Sequence, residues 1–188
     1  MRGLAERVVE IHRGLDRAGI AHAFGGAIAY AYHGEPRATR DIDLNVFLPS
    51  TEPLPALDAL FAIGVTVDRN AARERIRRDS QVRLRWGPVP VDLFFSQLAF
   101  HDACQRRVQR VPFGGIEIPI LSAEDLTVCK IAFDREKDWL DVGEMLVMQG
   151  GRFDARYVQE WLDELLGPDD RRSGRFRALS SSGTLPQA

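Results

Sequence analysis

The chain has 188 residues, 45% of them hydrophobic, with 25 basic and 27 acidic side chains and a net charge of −2. That supports one good core, or a core with a small helical annex. It excludes a general electrostatic pull toward nucleic acid, so any polyanion has to be held by a local patch. Cys104 and Cys129 lie far apart and read as reduced thiols. No stretch has the apolar length of a signal peptide or of a span of about 18 residues, and the expectation is a soluble, cytoplasmic protein without a membrane partner.

Leu4, Val8, Ile11 and Leu15 recur at helical spacing and predict an amphipathic helix stopped at Gly19. Ile20 to Phe24 predicts a short strand running into Gly25-Gly26, and Ala27 to His33 an alanine-rich helix ending at Gly34. His33 reads as a helix-end residue, since no other histidine stands at metal spacing. A helix start presents unpaired N–H groups and a positive dipole end, so strand, Gly-Gly, helix either seats a phosphate or merely turns a corner.

After Pro36, Arg37-Ala38-Thr39-Arg40 leads into a predicted strand, Asp41 to Phe47, closed by Pro49-Ser50-Thr51-Glu52-Pro53. The strand period of two puts Asp41, Asp43 and Asn45 on one face and Ile42, Leu44 and Val46 on the other. Two carboxylates two residues apart on a strand have Cα atoms about 6.6 Å apart, which suits a shared pair of divalent ions spaced about 3.5 to 4 Å. The alternative is a solvated face with two ordinary acids.

Leu54 to Ile63 predicts a helix stopped at Gly64, Val65 to Asp68 a possible strand, and Asn70 the cap of a short basic helix. Gln81 to Trp86 alternates cleanly, Gly87-Pro88-Val89-Pro90 reads as a hairpin connection, and Val91 to Phe95 as the return strand. Asp92 is the one acid in that apolar run, so it either meets a cation or metal or sits at a strand edge. Arg69, Arg73, Arg75, Arg77, Arg78, Arg83 and Arg85 form a basic region that either holds a nucleotide, a tRNA end or an acidic partner, or is a solvated face.

Ser96 to Val108 predicts a helix, and Val111 to Leu121 a hairpin whose prolines suit a sheet edge. Ser122 begins a long helix reaching Met148. If that helix is continuous, Lys130, Asp134, Asp138 and Asp141 form one polar stripe. Lys130 and Lys137 are the two lysines among the 25 basic residues, and a compact ammonium is not interchangeable with an arginine fork where one phosphate oxygen must be met. Lys130 is therefore a site candidate, or a partner of Asp134 one turn away. Ala155 to Leu166 predicts a last helix, and 168–188 a mobile tail.

The order glycine pair at a helix start, Asp41-x-Asp43, then the single acid Asp92 resembles the DNA polymerase beta-like nucleotidyltransferase superfamily. The runs Gly25-Gly26-Ala27 … His33-Gly34 … Arg37-Ala38-Thr39-Arg40-Asp41-Ile42-Asp43-Leu44 and Leu121-Ser122-Ala123-Glu124-Asp125-Leu126 … Lys130 … Arg135-Glu136-Lys137-Asp138 resemble its bacterial AbiEii-like minimal branch, which includes toxin and antitoxin components. The resemblance covers roughly Ile20 to Val147 and implies an α+β fold: a mixed sheet flanked by helices within 1–121, and a helical C-terminal part over 122–167. It also implies a Mg²⁺- or Mn²⁺-dependent transfer of an NMP from an NTP to a hydroxyl of RNA, protein or a small molecule. Asp41 and Asp43 would ligate both ions, and Asp92 would complete the second site and help activate the hydroxyl. Gly25, Gly26, Arg40 and Lys130 would hold the nucleotide. Ala27 stands where many members have Ser or Thr, so a hydroxyl contact to phosphate is missing. That departure suggests the alternative of a catalytically silent binding module, such as one half of a toxin–antitoxin pair.

Overall fold

A computed structural model describes residues 3–66 and 68–182, with the side chain of Ser182 left undescribed. In chain order the elements are α1 Leu4–Arg17, β1 His22–Phe24, α2 Gly26–His33, β2 Ile42–Pro49, α3 Leu54–Ala62 and α4 Arg69–Asp79. They continue as β3 Gln81–Trp86, β4 Val89–Ser96, α5 Ala99–Arg107, β5 Gln109–Phe113, β6 Ile116–Ile120, α6 Ala123–Phe133, α7 Glu136–Gln149, α8 Ala155–Leu166 and α9 Arg171–Ser182. No helix among the described residues is long and apolar enough to cross a membrane. The chain divides into two compact units, Met1–Ile28 with Ala38–Leu121, and Ala29–Arg37 with Ser122–Ala188.

The first unit carries a six-stranded mixed sheet in the order β3-β4-β2-β1-β6-β5, with β2 parallel to β4, β1 parallel to β6 and the other pairs antiparallel. The register aligns Ile42, Leu44 and Val46 with Val91, Leu93 and Phe95, and these with Val82 and Leu84, all buried on one face. Helix α1 lies over that face, since His12 is bonded to His22 and the Arg7 guanidinium stacks 5.6 Å from the Trp86 ring centroid. The prolines of the last hairpin are divided: Pro112 is on the edge strand β5 and Pro119 on β6, one strand in.

Three local expectations are corrected. The cap of α4 is Asp68, whose Oδ1 accepts from the backbone N–H of Asn70 and Ala71 at 3.1 Å each, because a side chain just outside the first turn reaches those donors. Asn70 is itself inside the helix. The β3–β4 connection is two residues, Gly87 and Pro88, with Gly87 at φ +60, so β4 begins at Val89. Around Val65 to Asp68 the described pairing is the single bridge of Thr66 to Arg85.

A buried histidine pair ties α1 to the sheet. His22 Nδ1 lies 2.8 Å from the Ile20 carbonyl, and His22 Nε2 lies 3.0 Å from His12 Nδ1. A carbonyl only accepts, so His22 carries its proton on Nδ1 and accepts on Nε2 from His12. Burial is the largest cause holding the His22 pKa down at about 4. An imidazole depressed below its unfolded value of 6.5 contributes stability above pH 6.5 that is lost as pH falls toward 4, because the unfolded chain binds the proton more readily. We expect up to about 2 kcal/mol of stability to disappear between pH 7 and pH 5. Urea midpoints of the wild type and His22→Gln over that range check it, the variant giving the flatter slope.

In the second unit the long helix of the sequence reading is broken. Asp134 adopts φ +56, its N–H donates to the Lys130 carbonyl at 3.1 Å, and its carboxylate accepts from Trp139 Nε1 at 2.9 Å. The expected stripe of Lys130, Asp134, Asp138 and Asp141 therefore does not run along one helix. After Gly167 the expected mobile tail is also corrected, for Arg171–Ser182 form α9 with Phe176 at 0% exposure and the Arg175 guanidinium 4.2 Å from the Trp139 ring centroid. One buried aromatic anchors a segment whose composition is otherwise polar. Residues 183–188 of that expectation lie outside the described residues.

Candidate functional site

Face alternation on β2 is as the sequence predicts: Ile42, Leu44 and Val46 are buried, while Asp41, Asp43 and Asn45 are half-exposed on the opposite side. Asp43 is the register partner of Asp92 on β4, and Asp92 of Arg83 on β3. Adjacent strands are about 4.8 Å apart, so Asp43, Asp92 and Arg83 form a row across the polar face.

The glycine pair meets the head of that row. The Gly25 N–H donates to the Asp43 carbonyl at 2.9 Å, and a Cβ on Gly25 would lie 2.9 Å from Asn45 Nδ2. At Gly26, φ is +50 and a Cβ would fall 1.7 Å from Asp43 Oδ2, 2.5 Å from its Cγ and 2.9 Å from its Cβ. The Asp43 carboxylate thus rests on the bare backbone of the first residue of α2, which only glycine permits. Ala27 follows, buried and without a hydroxyl.

The other acids are held differently. Thr39 Oγ1 donates to Asp41 Oδ1 at 2.5 Å, fixing the carboxylate next to the strand start. Asp92 takes a two-pronged pair from Arg83, Nε to Oδ1 at 2.7 Å and Nη2 to Oδ2 at 2.6 Å. Hydrogen bonding to Asp92 is the first cause raising the Arg83 pKa, followed by the Asp92 charge, with Asp41 and Asp43 adding to it. Arg83 therefore senses all three carboxylates. Arg40 is exposed and has no ion-pair partner among the described residues.

The donor set fits a hard divalent cation in kind: Asp41, Asp43 and Asp92 offer carboxylate oxygens on one half-exposed face. Among the described residues no three metal-ligating side chains are already gathered as a shell. The reason is visible in the side chains, since Asp43 lies over Gly26 and Asp92 is turned to Arg83.

Lys130 belongs to the other unit, where it is 5% exposed. Its Nζ lies 2.5 Å from Asp141 Oδ2 and 3.5 Å from Asp138 Oδ1, and 5.2 Å from the centroid of the Tyr30 ring. On a continuous helix those aspartates would be about 12 and 16 Å farther along the axis, beyond a lysine's reach. The break at Asp134 brings them back. Arg37 also binds Asp141 at 2.9 Å, Arg135 binds Asp138 at 2.5 Å, and the Tyr30 hydroxyl donates to Glu144. Asp134, the partner one turn away, instead holds Trp139 and Arg171.

The basic region separates into two parts. Five of its arginines are on or beginning α4, where Arg69 pairs with Asp58 and Arg75 and Arg78 with Asp79. Arg83 and Arg85 are instead on the polar face of β3 beside Asp92. The pairing of Arg83 with Asp92 was not singled out by the sequence; the signal was the turn length, because a two-residue hairpin loop sets 83 opposite 92.

No family model matches the chain, and no curated protein does. Solved structures do. The crystal structure of ANT(2″)-Ia in complex with adenylyl-2″-tobramycin matches at TM-score 0.60 and 14% identity, covering 93% of this chain and 97% of that one. The solution structure of the antibiotic-resistance factor ANT(2″)-Ia matches at TM-score 0.59 and 15% identity, over 95% and 93%. The chain has a nucleotidyltransferase fold. In that fold it is the polar face of β2 and β4, with the turn into α2, that bears the acid and glycine order of the sequence.

Proposed function

We propose that the protein is a nucleotidyltransferase of the polymerase beta-like superfamily, in its AbiEii-like branch, that moves an NMP from an NTP to a hydroxyl and releases pyrophosphate. The observation that carries the reading is the row in which Asp43 rests on Gly26 and is paired in register with Asp92. Gly25 and Gly26 offer the start of α2 to the terminal phosphates, and Arg40 is free to meet them. Asp41 and Asp43 would hold Mg²⁺ or Mn²⁺ with Asp92, and the bound metal supplies charge neutralisation at the phosphates. The acceptor oxygen bonds to the α-phosphorus, the bond to pyrophosphate breaks, and Asp92 takes the hydroxyl proton. The three carboxylates repel one another when ionised, and a divalent cation offsets that repulsion.

Calorimetry with each NTP in Mg²⁺ and Mn²⁺ tests the reading. Metal-dependent binding is expected for the wild type, and Asp43→Asn should weaken it at least about tenfold, the removal of one charged interaction at about 1.4 kcal/mol or more. Absence of metal-dependent nucleotide binding in the wild type would sink the proposal.

A second reading is favoured by Ala27, whose methyl offers no hydroxyl to phosphate: a catalytically silent binding module within a toxin–antitoxin pair. Copurification with a neighbouring gene's product that survives Asp41→Ala/Asp43→Ala supports this reading. Loss of every cellular effect in the same variant counts against it.

A further inference from the structure

We propose that Arg83 and Arg85 form an anion subsite on the acceptor side of this site, so that the acceptor carries phosphate next to its reacting hydroxyl. The inference rests on the transferase reading and adds the charge of the second substrate. The polar face runs from the Gly25–Gly26 turn after β1 to Asp43 on β2, Asp92 on β4 and Arg83 on β3. With about 4.8 Å per strand, Arg83 stands about 10 Å from Asp43 and about 14 Å from the glycine turn. The triphosphate seat is at one end of the row, so Asp92, which receives the hydroxyl proton, faces the acceptor at the other. That end is cationic.

Its charge is available. Arg83 is 59% exposed at its side chain even while it holds Asp92, and Arg85, on the same face one pleat along, is exposed with no ion-pair partner among the described residues. The two are about 6.6 Å apart along the strand, and β3 carries no acid between Gln81 and Trp86 to offset them. A guanidinium fork suits a phosphate as well as it suits a carboxylate. Arg83 is thus shared: it is bound to Asp92 when no acceptor is present, and an acceptor phosphate that takes it over releases the Asp92 carboxylate for its work on the hydroxyl. A phosphodiester strand or a sugar phosphate meets a partner at these two arginines, which offer a polyamine such as tobramycin none.

The test measures binding in EDTA without NTP, so that failure of the transferase reading leaves it standing or falling by itself. The probes are a fluorescent single-stranded oligoribonucleotide and ribose 5-phosphate, with tobramycin as the cationic control. Arg83→Gln/Arg85→Gln should weaken the phosphate-bearing probe at least about tenfold. For the oligonucleotide it should also reduce the salt slope by about 1.4, or about 0.7 for each phosphate that an arginine no longer neutralises. Asp92→Asn should strengthen binding several-fold, because it frees Arg83, and this opposite sign separates a shared arginine from general basicity. Arg73→Gln/Arg77→Gln on α4 should leave both probes unchanged. Oligonucleotide binding alone assigns the phosphate to a nucleic acid strand, and ribose 5-phosphate binding alone to a small acceptor. The proposal is overturned if neither probe binds, if the β3 double variant binds as the wild type does, or if the α4 variant loses as much.

Discussion

Replacing Gly26 with alanine is expected to lower the proposed nucleotidyl transfer about a hundredfold, the effect of displacing one reacting group by about 1 Å, and to cost the fold about 2 kcal/mol. Both effects have the same origin. The added methyl would stand 1.7 Å from Asp43 Oδ2, and rotating the carboxylate away brings no relief, because the Asp43 Cβ is already within 2.9 Å. The backbone at φ +50 adds left-handed strain for a side chain that glycine does not have. Either β2 or the start of α2 has to shift, and both carry residues of the proposed site. A double-mutant cycle separates the clash from the strain. In the background of Asp43→Gly, which removes the Cβ together with the carboxylate, Gly26→Ala should cost about 1 kcal/mol, the left-handed penalty alone, leaving a coupling of about 1 kcal/mol between the two positions. Equal costs in both backgrounds would show that the carboxylate does not rest on Gly26. Urea denaturation gives the stabilities, and a pyrophosphate-release assay gives the transfer rate.

The β half of this fold was legible because a strand's period of two is unambiguous when one face is apolar. Ile42, Leu44 and Val46 could only face a core, which left Asp41, Asp43 and Asn45 together. Gly25-Gly26 read as a turn into a helix start for the same kind of local reason. What sequence left open was set by single residues with long-range consequences. Reading Gly87 to Pro90 as the loop would have set Arg85 opposite Asp92, whereas the two-residue turn sets Arg83 there. Both registers keep the arginines on the acid face, so the face was readable and the partner was not. The break at Asp134 had no such signal, since aspartate is tolerated in a helix, and its left-handed conformation is held by Trp139 from the following helix. Helix α9 was missed because its composition is that of a solvated tail, and the burial of Phe176 and Ser173 is a tertiary fact. The histidine pair was missed for a related reason: ten residues separate His12 from His22, and only the packing of α1 on β1 joins them.

Lys130→Met is expected to cost about 3 kcal/mol, the lower end of what breaking a buried ion pair costs. Lys130 is 5% exposed and its ammonium faces Asp138, at 1%, and Asp141, at 6%. Removing it leaves two carboxylates buried, although Arg135 still holds Asp138 and Arg37 still holds Asp141, and those remaining pairs keep the loss from being larger. The pair is replaceable as a whole: Lys130→Met/Asp141→Leu should recover to within about 1 kcal/mol of the wild type, because an apolar contact of similar volume substitutes for the buried pair, and Arg37, which loses Asp141, is 41% exposed at its side chain and returns to water. The same variants weigh the two roles open to this lysine. As a tie within its own unit, Lys130 leaves the proposed metal-dependent NTP affinity unchanged in the folded Lys130→Met protein, measured well below its denaturation midpoint. As the phosphate contact that the motif resemblance implies, its removal lowers that affinity about tenfold or more, the cost of breaking a charge-assisted hydrogen bond, and the double variant regains stability without regaining the nucleotide. Its short contact with Asp141 and its place under the Tyr30 ring favour the first outcome.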